Sequence, residues 1–76
     1  MSAYETEMYR DCQIVAKISE TAAGGFTIGF QTIKWPGESA RELVKIDVQS
    51  NRFPTLASAR RAAFSTMKLR IASRPW

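Results

Sequence analysis

Residues 12–19, CQIVAKIS, alternate in character: Cys12, Ile14, Ala16 and Ile18 fall on one side, Gln13, Val15, Lys17 and Ser19 on the other. Period two with β-branched residues predicts a half-buried strand. ETAAGG then supplies a turn, with Gly24 and Gly25 free to take positive φ. FTIGFQTIKW predicts a second strand whose Phe26, Ile28 and Phe30 share one face. The apolar parity switches further on, to Ile33 and Trp35, the mark of a bulge or of a strand end that wraps a corner. After the loop PGESARE, LVKIDVQS alternates Val44, Ile46 and Val48 with Lys45, Asp47 and Gln49, predicting a third strand. Three strands with short connections favour an antiparallel meander.

The pattern changes after Pro54. Thr55 is a suitable N-cap, nothing from there to about Ala72 breaks a helix, and Ser73-Arg74-Pro75 ends it. At 100° per residue, Leu56, Ala59, Ala62, Ala63, Thr66, Met67 and Leu69 spread over one broad side. Arg60, Arg61 and Lys68 group on another, with Phe64 between them, and Arg70 snorkels from nearer the apolar side. The expected architecture is α+β: an antiparallel three-stranded meander with one C-terminal helix packed on one face (βββα). The expected organisation is a flexible N-terminal arm over residues 1–8, the domain over 9–72 and a tail over 73–76. The uncovered sheet face is expected to carry Gln13, Val15, Lys17, Thr27, Gln31, Lys45, Asp47 and Gln49.

Composition narrows the function. A chain of 76 residues is one small domain, burying only about 60% of its unfolded surface, so a partner or a dimer would help it. There is no histidine, which removes His-based acid–base catalysis, the Ser–His and Cys–His nucleophile pairs and most zinc or haem sites. The seven carboxylates are scattered, with no pair in a catalytic spacing. A non-enzymatic binding module is expected, with no metal, no cofactor and no small-molecule substrate. No apolar run approaches the roughly 18 residues of a membrane span. The polar, acidic start MSAYETEMYRD is unlike a secretory signal. With a single cysteine, Cys12, the expected place is the cytoplasm.

Charge is unevenly placed. The net charge is +4, yet residues 52–76 hold Arg52, Arg60, Arg61, Lys68, Arg70 and Arg74 and no acid, while residues 1–11 set Glu5, Glu7 and Asp11 against Arg10. The leading expectation is weak, salt-dependent contact with nucleic acid or another polyanion through Arg52, Arg60, Arg61, Lys68 and Arg74. Two other readings of the same cations stay open. They form a solvated outer face that keeps a small protein soluble, or Glu5, Glu7 and Asp11 of the same or a neighbouring chain lie across Arg60 and Arg61. The alternative function is a protein-interaction or self-associating (homodimeric) module that uses a sheet edge with Trp35 and Trp76 as interface aromatics. GGFTIGF touches the RNA-binding ribonucleoprotein motif, but Phe26 and Phe30 share parity with Ile28 and read as core.

YRDCQIVAKI, GGFTIGFQTIKWPGE and FPTLASARRAA together resemble a set of small bacterial βββα proteins of unassigned function. That resemblance spans roughly residues 9–71 and implies a fold without an activity. Phe53, Thr55, Ala59 and Ala62 are also similar to the strand-to-helix passage of the AP2/integrase-type three-stranded-sheet DNA-binding domain. That likeness implies groove reading by arginines and aromatics on the exposed sheet face. The face expected here departs from it, with no arginine and with Asp47.

Overall fold

The computed structural model describes residues 2–73. It is an α+β chain with four strands in the order β1-β2-β3-β4, all neighbours antiparallel, and one C-terminal helix. The strands are β1 (Ser2–Tyr9), β2 (Cys12–Glu20), β3 (Phe26–Lys34) and β4 (Glu42–Leu43), and α1 spans Leu56–Ala72.

The expectation of three strands is corrected at the N-terminus. Residues expected as a flexible arm form β1, paired with β2 along its whole length from Ser2↔Ser19 to Tyr9↔Cys12. The connection is a two-residue turn in which Arg10 and Asp11 both take positive φ, 50° and 65°. That matches the hairpin turn whose twist suits two antiparallel strands, although Asn-Gly is its usual sequence. The period-two pattern of β1 is present, but its half-buried, helix-facing positions are Ala3, Glu5, Glu7 and Tyr9, so half of that side is carboxylate.

The third expected strand is corrected too. Only Glu42 and Leu43 join the ladder, with Val44 N–H donating once more to the Gln31 carbonyl at 2.8 Å. Val44 and Ile46 still pack against the core, so the alternation reported facing correctly and pairing incorrectly. Elsewhere along β3 other groups take the strand's place. The Asn51 side chain accepts from Ile28 N–H at 2.7 Å and donates to the Ile28 carbonyl at 2.8 Å. Phe53 exchanges two backbone hydrogen bonds with Phe26. Val48, expected inward, is exposed in a short 3-10 turn, Val48–Ser50, capped by Asp47.

The parity switch in β3 is a bulge. The register moves between Lys17 and Ile18, so that Phe30 pairs with Lys17 and Ile28 with Ile18, leaving Gly29 as the extra residue. Ile28 faces the helix before it, and Gln31, Ile33 and Trp35 are buried after it. Phe30, expected in the core, instead stands on the uncovered face beside Tyr4. Gln31, expected on the exposed face, is buried, its amide donating to the Lys45 carbonyl.

The helix begins as expected. Thr55 accepts from Ser58 N–H at 3.0 Å, and the Ser58 hydroxyl accepts from Thr55 N–H, a reciprocal cap. Its buried positions are Ala59, Ala63, Phe64, Met67 and Ile71. The contact stripe is therefore rotated from the one expected: Phe64 and Ile71 enter the core, while Leu69 is left exposed. Large side chains on one flank of the alanines fill the space above β2 and β3, which decides the rotation. The core is completed by Cys12, Ile14, Ala16, Ile28, Ile33 and Trp35. No helix among the described residues is long and apolar enough to cross a membrane.

Candidate functional site

The covered side of the sheet accounts for most of the helix's charge. Arg60 Nε donates to Glu5 Oε1 at 2.9 Å, and its Nη2 lies 3.7 Å from Glu7 Oε1. Lys68 Nζ pairs with Glu7 Oε2. At the other edge Arg70 Nε donates to Glu42 Oε2 at 2.9 Å, while Glu42 Oε1 accepts from Trp35 Nε1 at 2.9 Å. The cationic groups also lie over rings, Arg60 over Phe64 at 4.8 Å and Lys68 over Tyr9 at 5.5 Å from the centroids. These pairs are partly exposed and contribute about 0–1 kcal/mol each. Their larger effect is to neutralise the outer helix.

The sequence-derived residues are thus scattered. Arg60 and Lys68 are bound to carboxylates of β1. Arg61 and Arg52 are exposed, and neither forms an ion pair among the described residues. Trp35 is 2% exposed and belongs to the core, so it offers no outer surface for a partner, which corrects its expected place as an interface aromatic. Arg74 and Trp76 lie outside the described residues. The acidic segment lies across Arg60 as expected, through Glu5 and Glu7, but its second partner is Lys68 rather than Arg61, and Asp11 stands in the turn.

The opposite face of the sheet is built differently. Strand parity and register arrange it in four rows: Ser2–Ser19–Thr27, Tyr4–Lys17–Phe30, Thr6–Val15–Thr32–Leu43 and Met8–Gln13–Lys34. Arg41 reaches the last row, its Nη2 donating to Gln13 Oε1. No row contains a carboxylate. The nearest acids along the chain stand at the sheet's ends, Asp11 in the first turn, Glu20 at the last position of β2 and Glu38 in the β3–β4 loop. Among the described residues no helix or strand packs over this face, since the helix covers the other, although Thr32 in the four-strand row is buried. Tyr4, Met8 and Leu43 are each more than 60% exposed there, at 64%, 62% and 76%.

Two features give the face a chemistry. The Tyr4 and Phe30 rings meet over Lys17 with centroids 5.9 Å apart and a tilt of 54°, inside the range of favourable aromatic pairs. Lys17 Nζ lies 5.8 Å from the Tyr4 centroid. Lys34 and Arg41 add two more cations, with the Lys34 ammonium donating to the Glu38 main-chain carbonyl at 2.7 Å. Rings and cations interleaved on an acid-free surface suit a ligand with phosphates and flat faces.

Sequence reasoning missed Tyr4, Phe30, Lys34 and Arg41. A signal for Phe30 existed. Setting the parity switch at Gly29, rather than after Phe30, turns that ring outward. Comparison with models of protein families, with curated proteins and with solved structures found no match to this chain.

Proposed function

We propose that this chain is a non-enzymatic binding module that holds nucleic acid, or a polyanion of similar charge, on the outer face of its sheet. The observation that carries the reading is the sorting of charge by strand parity. The inward carboxylates Glu5, Glu7 and Glu42 are spent on helix cations, whereas the outward rows present Lys17, Lys34 and Arg41 with no acid between them. Cations already paired release few counterions on meeting a phosphate; unpaired ones release theirs. The affinity therefore belongs mainly to the sheet, with Arg61 and Arg52 as lesser contributors along the helix side. The reading includes a cytoplasmic place, where nucleic acid is met and where a lone thiol such as Cys12 stays reduced.

The test is a salt titration of fluorescent oligonucleotide binding. Three phosphate contacts to a single strand give a slope of log K against log salt of about −2. Lys17→Glu combined with Arg41→Glu is expected to abolish binding, and Arg61→Glu to weaken it only slightly. The reverse order would return the site to the helix, and no binding at low salt would remove the reading.

Self-association through a sheet edge is favoured by one observation: β1 is an outer strand of eight residues without proline or bulge, a form of edge that other chains can join. Against it, two copies of β1 paired antiparallel would bring the Glu5 and Glu7 rows together, and inward-pointing charge is a known guard of such edges. Sedimentation across a concentration series decides this, a monomer throughout being the outcome that removes it.

A further inference from the structure

The outer face has a further property that polyanion contact alone does not need. Contact with phosphates calls for cations; it does not call for a tilted pair of rings, one exposed and one half-buried. Tyr4 is 64% exposed, although the sheet could have kept a small polar residue at that position, as it does at Ser2 and Thr6. Its ring and that of Phe30 stand in one row of the sheet with Lys17 between them in register. We infer that the face takes single-stranded nucleic acid, with an unpaired base stacked at the Tyr4–Phe30 pair and the neighbouring phosphates held by Lys17, Lys34 and Arg41. This rests on the polyanion reading above and adds the strandedness of the ligand.

Two arguments favour a single strand over a duplex. First, a base within a duplex hides both of its flat faces in the stack, so only an unpaired base can lie against Tyr4. Second, the cations are placed for a path along the sheet. Lys17 is in the ring row, and Lys34 is in the row four β2 residues away, about 14 Å along the strand. That is the span of a short run of nucleotides crossing the face lengthwise. The rows between carry Thr6, Val15, Thr32 and Leu43, uncharged side chains over which a strand can pass without meeting an acid.

The rings are also free to act without cost to the fold. Tyr4 and Phe30 lie on the side of the sheet away from the core residues, so truncating Tyr4 removes a contact surface and leaves the helix–sheet packing intact.

The experiment uses the full chain and four fluorescent probes of twelve units: oligo(dT), oligo(rU), a mixed-sequence duplex and an abasic deoxyribose-phosphate strand. Anisotropy titrations at low salt are run on the parent chain, Tyr4→Ala, Tyr4→Phe and Lys17→Gln. Both unpaired oligonucleotides are expected to bind, because stacking and phosphate contact are blind to the sugar, and to bind about 10-fold more tightly than the abasic strand. Tyr4→Ala is expected to lose about that factor on oligo(dT) and nothing on the abasic strand, and Tyr4→Phe to keep it. Lys17→Gln is expected to weaken every probe. An abasic strand or a duplex bound as tightly as oligo(dT), with the salt slope intact, overturns the stacked single strand and leaves the polyanion reading standing. Absence of binding to all four probes overturns both. Concentration-dependent sedimentation that Tyr4→Ala abolishes, without probe binding, assigns the face to a second copy of the chain instead.

Discussion

The two faces of one sheet are made from the same strands, and neighbouring residues of β1 and β2 serve opposite ends. On the helix side, Glu5 and Glu7 stand beside Ile14 and Ala16, bind the helix cations and close the core's margin. One residue over in sequence, Tyr4, Thr6 and Met8 stand beside Gln13, Val15 and Lys17, uncovered. A strand separates charge at a resolution of one residue because successive side chains point to opposite faces. A chain of modest net charge can therefore present a wholly acid-free surface without being strongly basic. Segment sums miss this, since they average the two faces together.

The largest difference between the faces should appear in stability. Ile14→Ala or Met67→Ala removes a fully buried side chain and should cost about 2–5 kcal/mol, enough to unfold much of so small a domain. Tyr4→Ala on the open face should stay within about 1 kcal/mol. Urea denaturation of the three variants measures the contrast, and equal losses would mean that the open face is also structural.

A smaller, opposite effect is expected where the two faces join at the first turn. Arg10 and Asp11 hold positive φ without being glycine, at a cost of about 1 kcal/mol or more per residue. Arg10→Asn with Asp11→Gly should raise the unfolding free energy measured in urea by about 1 kcal/mol. A loss of stability would show that the Arg10 contact over the Tyr9 ring at 5.3 Å outweighs the turn geometry.

The smallest stability effect sharpens the electrostatic side of the contrast. Glu7→Gln releases Lys68 and one arm of Arg60. Because the pair is partly exposed, the loss should be at most about 1 kcal/mol. Oligonucleotide binding should gain salt sensitivity as a second cationic surface opens on the helix side. An unchanged salt slope would mean that the helix cations were available to phosphate already.

How far the sequence disclosed this follows from what each pattern measures. β2, the Thr55 cap and the end of the helix were legible because Cys12, Ile14, Ala16 and Ile18 alternate cleanly and because Thr55 and Ser73 are strong local signals. The hairpin of β1 was not, since an Arg-Asp turn lacks the usual glycine and Glu5 and Glu7 occupy inward positions that hydrophobic periodicity expects to be apolar. Val44 and Ile46 were correctly read as facing the core, but facing does not imply a ladder, and the Asn51 amide had already satisfied Ile28. The helix stripe was misplaced by trusting the alanines, when the large residues Phe64 and Ile71 decided which way α1 turned. For the candidate site, Lys17 was read on the correct face. Phe30 was not, because the bulge was set a residue too late.

Gly29 is an insertion that the fold has absorbed, and this bears on which length changes β3 can survive. Deleting one residue from a strand ordinarily shifts its reading frame and turns every later side chain to the other face. At Gly29 the outcome differs: with that residue gone, Ile28, Phe30 and Gln31 fall into plain in–out–in alternation and the frame on both sides is kept. What is lost is the extra twist that a bulge adds, and with it the angle at which Phe30 meets Tyr4. The chain can thus shorten there without losing its core, and what such a deletion alters is the shape of the open face.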